Sequence, residues 1–509
     1  MHGFDNWALS LAIFLPMAGA VLVVLWPKEQ ETAIKSIALA TTVITAGVGG
    51  WILKNFDYNH TAKLQFGVNK GWIDIIHSRY HVGVDGLSLP LLALSMFICI
   101  LCVIYSWDHF PEPHNPKAFL ALILVLETGM NGTFIAEDLI LFFVFFELVL
   151  LPMYFMIGVW GGANRQYASI KFFLFTLFGS ALMILGFLAL YFRAGHTFDI
   201  PTLVLNARHM LPHNTQLWIF GGLFMGFAIK VPMFPFHTWL PDAHTEAPTV
   251  GSVILAAILL KLGTYGFIRI AIPVLPEAAH SWAPWIGLLA VIGIIYGALG
   301  CLAQKDLKRL IAFSSVAHMG FVMLGIATLT SFGINAAIFG MVAHGLITGM
   351  LFFIAGSVGE RYGTREMNRL GGLLIQAPVM GWILGFCAMA SLGLPGLAGF
   401  WGEFPAILSA FNPAAGLSVV TFRVYMVVAA IGTVLAAGYL LWMFQRVAFG
   451  EPKEEFADAH IHDLHTPEWI AWTPMLLLIV VLGVFPGLMF RVTDGAVQHI
   501  TSALAVIGH

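Results

Sequence analysis

Apolar positions along the chain fall in long unbroken runs rather than at the spacing of a one-sided helix or strand, and the runs recur from Asn6 to Phe490 without a long polar interval. The hydrocarbon core of a bilayer takes about 20 apolar residues of helix, and that ruler divides the chain into fourteen spans. Their expected limits are 7–26, 33–53, 84–106, 118–136, 138–160, 168–193, 216–236, 249–272, 282–303, 309–329, 333–358, 374–401, 421–446 and 469–490. The pattern therefore predicts an all-α polytopic membrane domain covering 1–509.

Two spans carry helix breakers. One reads Lys230-Val-Pro-Met-Phe-Pro-Phe-His237-Thr-Trp-Leu-Pro241, the other Gly393-Leu-Pro-Gly-Leu-Ala-Gly399 followed by Phe-Trp-Gly-Glu403. Proline deletes an intrahelical hydrogen bond, and free backbone groups at membrane depth persist only where protein or water satisfies them, so such segments line paths. The breaks lie about 160 residues and five spans apart. That spacing suits two copies of a five-helix unit, and an odd number of spans per copy makes the copies inverted. The expected divisions are N-terminal helices in 1–117, a first repeat in 118–272, a second in 282–446, and a loop with the last helix in 447–509.

Composition agrees with the pattern: 59% of the 509 residues are hydrophobic, 10% are charged, and the mean hydropathy is +0.87, against roughly 25% charged residues in a soluble domain. The net charge of −3 names no partner, and nothing points to nucleic acid. Lys and Arg are denser on one set of loops, with Lys28, Lys117, Arg165, Lys305, Lys308, Arg309, Arg361, Arg365 and Arg369 among them, than on the alternate set. By the positive-inside rule that set faces inward and both termini face outward. The first run has no basic residue before it and no cleavage pattern after it, and reads as a retained span. Cys99, Cys102, Cys301 and Cys387 all lie in apolar runs, which suits neither a disulfide framework nor an iron–sulfur cluster; Cys99 and Cys102 read as small core residues.

Charges inside spans carry the functional signal, because an ionised group at the bilayer centre costs about 2.5–3.5 kcal/mol on insertion scales and needs a partner or a proton. Glu147 stands mid-span. Lys230 closes a run just before the first break, and Lys261 lies nine residues past Ser252 in the next run. Burial disfavours a charged lysine and a nearby carboxylate favours it, so a Glu147–Lys230 pair that opens and closes would switch a proton; the alternative is a snorkelling or fixed pair. His318 and His344, each within a span, suit proton relay, a satisfied core position or, with other histidines, haem ligation. His237, Asp242, His244 and Glu246 cluster where the first broken span is expected to turn outside. Glu403 follows the second break and holds the place in the second copy that Lys230 holds in the first, suiting proton exit or a helix cap. Glu127 has no evident partner and stays a further relay candidate, and His460, His462 and His465 could bind a metal but read as solvated loop. No phosphate-cradling loop or haem-attachment motif is present.

The segments Phe145-Phe-Glu147-Leu-Val-Leu-Leu-Pro-Met-Tyr154, Ala228-Ile-Lys230-Val-Pro, His237-Thr-Trp-Leu-Pro-Asp-Ala-His244, Ala247-Pro-Thr-Val-Gly-Ser252, Leu259-Leu-Lys261, Asp306-Leu-Lys-Arg-Leu-Ile-Ala312, Ser314-Ser-Val-Ala-His-Met-Gly320 and Gly399-Phe-Trp-Gly-Glu403 together resemble the antiporter-like subunits of respiratory complex I. The resemblance runs over essentially the whole chain. It implies a proton half-channel in each repeat, with Glu147 and Lys230 responding to a neighbouring subunit, Lys261 as central carrier, His237, His318 and His344 as relay, and Glu403 as outlet. It implies no cofactor in this chain, with FMN, iron–sulfur clusters and quinone in partner subunits, and other complex I membrane subunits as neighbours. A bacterial inner membrane is the expected location. Glutamate at 403, where many relatives carry lysine, weighs against the alternative of an Mrp-type sodium/proton antiporter subunit, while a membrane subunit of a related hydrogenase would be told apart by the soluble subunits that copurify.

Overall fold

The computed structural model describes residues 3–505. In chain order the principal elements are α1 Asp5–Leu25, α2 Glu31–Asn55, the strands β1 Gln65–Ile73 and β2 Ser78–Val84, α3 Ser88–Tyr105, α4 Pro116–Ile135, α5 Leu139–Trp160, α6 Arg165–Arg193 and the short α7 Ile200–Met210. There follow α8 His213–Lys230, α9 Trp239–Glu246, α10 Thr249–Val274, α11 Pro276–Leu302, α12 Leu307–Ala327 and α13 Ser331–Tyr362. The last are α14 Pro378–Ser391, α15 Ala398–Ser409, α16 Val419–Ala448, α17 Thr466–Val484 and α18 Gly487–Ala505. Twelve of these helices are long and apolar enough to cross a membrane among the described residues. The two expected spans outside that set, 216–236 and 374–401, are the ones with breakers.

Each becomes two helices around a gap, α8 with α9 and α14 with α15, so both run past their expected ends, to Glu246 and Ser409. At the first gap Pro232 and Pro235 offer no N–H. The Ile229 carbonyl accepts instead from the Trp239 indole at 3.0 Å, and Met233 N–H reaches back to Ala228. At the second gap Gly393 and Gly396 take φ of 82° and 92°, a left-handed backbone that suits glycine. Gly399 carries no Cβ where one would stand 2.1 Å from the Ala390 carbonyl.

Helix starts follow ordinary capping: Asn115, Asp138, Asp306, Thr330 and Ser418 each accept from a backbone N–H of the next turn. Within α5 the helix is interrupted at Val149, three residues before Pro152, whose ring removes the bond to Leu148. α10 contains two π-helical stretches, 255–259 and 267–271. α10, α12 and α13 form the buried centre, while α2, α16 and α17 keep mostly exposed flanks.

At one end of the bundle lie the β1–β2 hairpin, α7 and α18, none of which the apolar runs predicted. Val82 bridges Ala136, Asp138 bridges Asp199, and the Gly86 amide donates to Thr61. The opposite end gathers Gly162 against Glu246, and Leu307 against Arg365. α9 belongs to this second end. The turn carrying His237, Asp242, His244 and Glu246 is thus on the side of Arg165, Lys308 and Arg309, which charge counting assigns to the inside, not the outside as expected. Asp242 there pairs with Lys171 at 2.7 Å and Arg309 at 3.3 Å.

α13 and α15 cross at Gly340 and Gly402, where a Cβ on Gly402 would stand 2.5 Å from the Gly340 backbone. Overpacking of that kind costs about 1–3 kcal/mol. Gly402→Val should lower the unfolding temperature of the detergent-solubilised protein and weaken any function that depends on Glu403, one residue away; unchanged melting would show that the crossing relaxes freely.

Candidate functional site

The buried polar groups lie in a line across the bundle centre. Lys261 on α10 is fully buried, and its Nζ donates to His344 Nδ1 on α13 at 2.7 Å and to the Ala256 carbonyl. That carbonyl lies in the first π-helical stretch, where the altered bonding register leaves an acceptor for a side chain five residues on. When Lys261 is an ammonium it only donates, and His344 then accepts at Nδ1 and carries its hydrogen on Nε2. Nε2 has no partner. It borders a cavity of about 20 Å³ lined by His318, His344, Thr348, Ser391 and Glu403, enough for one water, which needs about 10–15 Å³.

Beyond the cavity, the His318 ring on α12 lies 6.1 Å from that of His344. Its Nδ1 pairs with Glu403 Oε1 on α15, and its Nε2 meets Ser391 Oγ and Tyr439 Oη, each at 3.1 Å. Glu403 Oε2 is buried without a partner. Lys261, His344, His318 and Glu403 thus form a series of ionisable side chains on four different helices, with both broken-helix units supplying members or packing against them. Ser391 and Tyr439 are additions that sequence reading missed; a serine at the end of a helix and a tyrosine in a run give no signal by themselves.

On the other flank, Glu147 is partly exposed on the α5 surface, and Lys230 ends α8. The expected ion pair is open. Lys230 Nζ has no hydrogen-bond partner and stands 4.9 Å over the ring of Phe146, a contact worth about 0.5–2 kcal/mol. Gly263 of α10 makes room for it, since a Cβ there would meet the Lys230 Cβ at 3.1 Å and the Phe227 carbonyl at 2.6 Å.

His237 lies in the gap after Lys230, buried between the rings of Phe234 and Tyr296, with Nδ1 unpartnered. His244, outside the set expected to relay, is fully buried against Phe352 at 4.4 Å with both ring nitrogens free of partners. Glu127 is also fully buried, neither oxygen hydrogen-bonded, and stands apart from the series. His460, His462 and His465 lie in the loop before α17 with ring centroids 4.7 and 5.9 Å apart; among the described residues no group of three or more His, Cys, Asp or Glu is arranged to hold a metal.

A family model described as "NADH:quinone oxidoreductase/Mrp antiporter, TM" matches residues 136–431, and one described as "NADH-ubiquinone oxidoreductase chain 4, amino terminus" matches residues 11–133. The NADH-quinone oxidoreductase subunit M of Rickettsia conorii is 39% identical over 497 residues, which cover 97% of this chain and 98% of that one. The F(420)H(2) dehydrogenase subunit M of Methanosarcina mazei is 37% identical over 508 residues, 98% and 99% of the two chains. Among solved structures, a chain of respiratory complex I from Thermus thermophilus matches with a TM-score of 0.87 at 29% identity, covering 97% of this chain and 99% of that one.

Proposed function

Because the chain belongs to the NADH:quinone oxidoreductase/Mrp antiporter family of membrane subunits, we propose that it is subunit M of a proton-translocating NADH:quinone oxidoreductase and moves protons through the buried series described above. The observation that carries this reading is the continuity of Lys261, His344, His318 and Glu403 across the bundle centre. Redox chemistry belongs to partner subunits, which hold the flavin, iron–sulfur clusters and quinone; this chain contributes no electron-transfer step.

In this reading Glu147, at the surface of α5, responds to a neighbouring antiporter-like subunit. When its charge draws Lys230 away from the Phe146 ring, the field at Lys261 changes across Gly263. Lys261 then gives its proton to His344 Nδ1, His344 releases the one on Nε2 toward the cavity, and His318 passes it to Glu403. His237 and His244 supply Lys261 from the end of the bundle that carries Arg165 and Lys308, taken as the inside. The two broken-helix units, 118–272 and 282–446, act as inverted repeats within a fourteen-span domain of a bacterial inner membrane, with both termini outside.

Purification of the tagged chain in mild detergent tests the reading. Expected are copurifying flavin and iron–sulfur subunits, NADH:quinone activity, and proton uptake into vesicles driven by NADH. The comparable likeness to an F(420)H(2) dehydrogenase subunit makes the donor a readout: oxidation of a reduced deazaflavin but not NADH would reassign the complex while leaving the proton path. Recovery of small antiporter chains alone would overturn the proposal.

A further inference from the structure

Outside that path, a second buried cluster sits at the hairpin end of α10. Arg269 lies eight residues beyond Lys261, about 12 Å along the helix. Its Nη2 contacts Asp85 Oδ1 at 2.5 Å and its Nε donates to Tyr265 Oη at 2.9 Å, while Tyr265 donates onward to the Phe134 carbonyl at 2.7 Å. Glu137, in the short connection between α4 and α5, is 1% exposed. Its Oε1 stands 3.7 Å from Arg269 Nη1, beyond hydrogen-bond reach, and has no donor.

The charges do not balance. Two buried carboxylates share one guanidinium, and Asp85 has claimed it, with added bonds from the Leu87 and Ser88 amides. Glu137 meets the same guanidinium only at 3.7 Å, with no donor on Oε1, and burial then favours its protonated form. Beside it, His81 of β2 pairs with Asp199 at 2.6 Å, both partly exposed, and Asp138 is held by Ser78 and by the Arg79 amide. These two pairs, with Asp85, Arg269 and Tyr265, are the charged and titratable groups facing Glu137. Close to Glu137 is the partly exposed His81–Asp199 pair, while Tyr265 and Arg269 follow Lys261 on α10.

We propose that Glu137 is a proton-binding site at the outer end of the Lys261 helix, from which protons pass to the outside by way of the His81–Asp199 pair. Arg269 positions it: the more closely the guanidinium follows Asp85, the more firmly Glu137 keeps its proton. Burial pushes the Glu137 carboxyl up to about 7, against the opposing pull of Arg269, so the site changes state within the ordinary working range. The direction of release rests on the orientation proposed above; proton binding by Glu137 does not.

Infrared difference titration of the purified complex tests the site directly. A protonated-carboxyl band should disappear as pH rises through about 7 and should be missing in Glu137→Gln. In Asp85→Asn, Arg269 is freed to pair with Glu137, and the same band should titrate at least one pH unit lower. In vesicles, Glu137→Gln should reduce the protons moved per NADH, while Glu137→Asp should restore part of the loss. A wild-type complex with no carboxyl band titrating near neutral, or a band unchanged in Glu137→Gln, overturns the proposal whatever the vesicles show. If wild-type vesicles do not pump but the band titrates as expected, the translocation reading fails and the proton site stands.

Discussion

Replacing Lys261 with alanine should leave the complex assembled and able to pass electrons from NADH to a soluble acceptor, while NADH-driven proton uptake into vesicles falls at least about tenfold. Tenfold corresponds to about 1.4 kcal/mol of added barrier, a small demand for a variant that removes the His344 partner and leaves a gap in the apolar centre of α10. Lys261→Arg makes the sharper test. A guanidinium keeps the positive charge but does not release its proton in a protein. If Lys261 only supplies charge, the arginine variant pumps; if it carries the proton, the variant is as defective as alanine. Wild-type pumping by Lys261→Arg would remove Lys261 from the path.

Glu403→Gln has the second large expected effect. The amide keeps the shape of the side chain and can still meet His318, but it cannot take the proton from Nδ1. Pumping should fall by an amount comparable to Lys261→Ala, and the His318 ring should stay in place in a structure of the variant. Glu403→Asp, one methylene shorter, should restore part of the flux because the carboxyl remains. Full pumping in Glu403→Gln would mean that protons leave the series before α15, through Ser391, Tyr439 or the Glu137 cluster.

The architecture was legible wherever a single run of residues determines it. Twelve helices follow from length and apolarity alone, and Pro232, Pro235, Gly393 and Gly396 announce both gaps. Continuations past those gaps were not legible: His237–Glu246 reads as polar loop until α9 is seen folded against α6 and α12, although counting seven spans from an outside N-terminus already puts that cluster at the inner end. The hairpin was hidden because Gln65–Val84 mixes Gly, Asn and Lys with its apolar residues, and its ladder joins strands that pair with each other rather than with a sheet.

For the site, each buried charge was visible from its own surroundings, but partnership was not. His318 and Glu403 are 85 residues apart, and no spacing rule links them. The open state of Glu147 and Lys230 depends on a side-chain torsion that places Nζ over Phe146. Arg269 was not among the candidates, although it stands five residues before the end of α10 with no acid on that helix. That was a readable signal: an arginine so placed requires an acid from elsewhere, and Asp85 and Glu137 supply it.

The two broken helices also bear on how the protein is made. α14 has 14 residues, about 21 Å of helix, against about 30 Å of hydrocarbon, and α8 ends in a lysine that nothing in the lipid could solvate. Neither half-helix is stable as a lone passenger leaving the translocon. Their neighbours α6, α10, α13 and α16 are each long and apolar enough to cross a membrane, so the half-helices depend on packing against them, rather than on their own hydrophobic length, to stay at membrane depth.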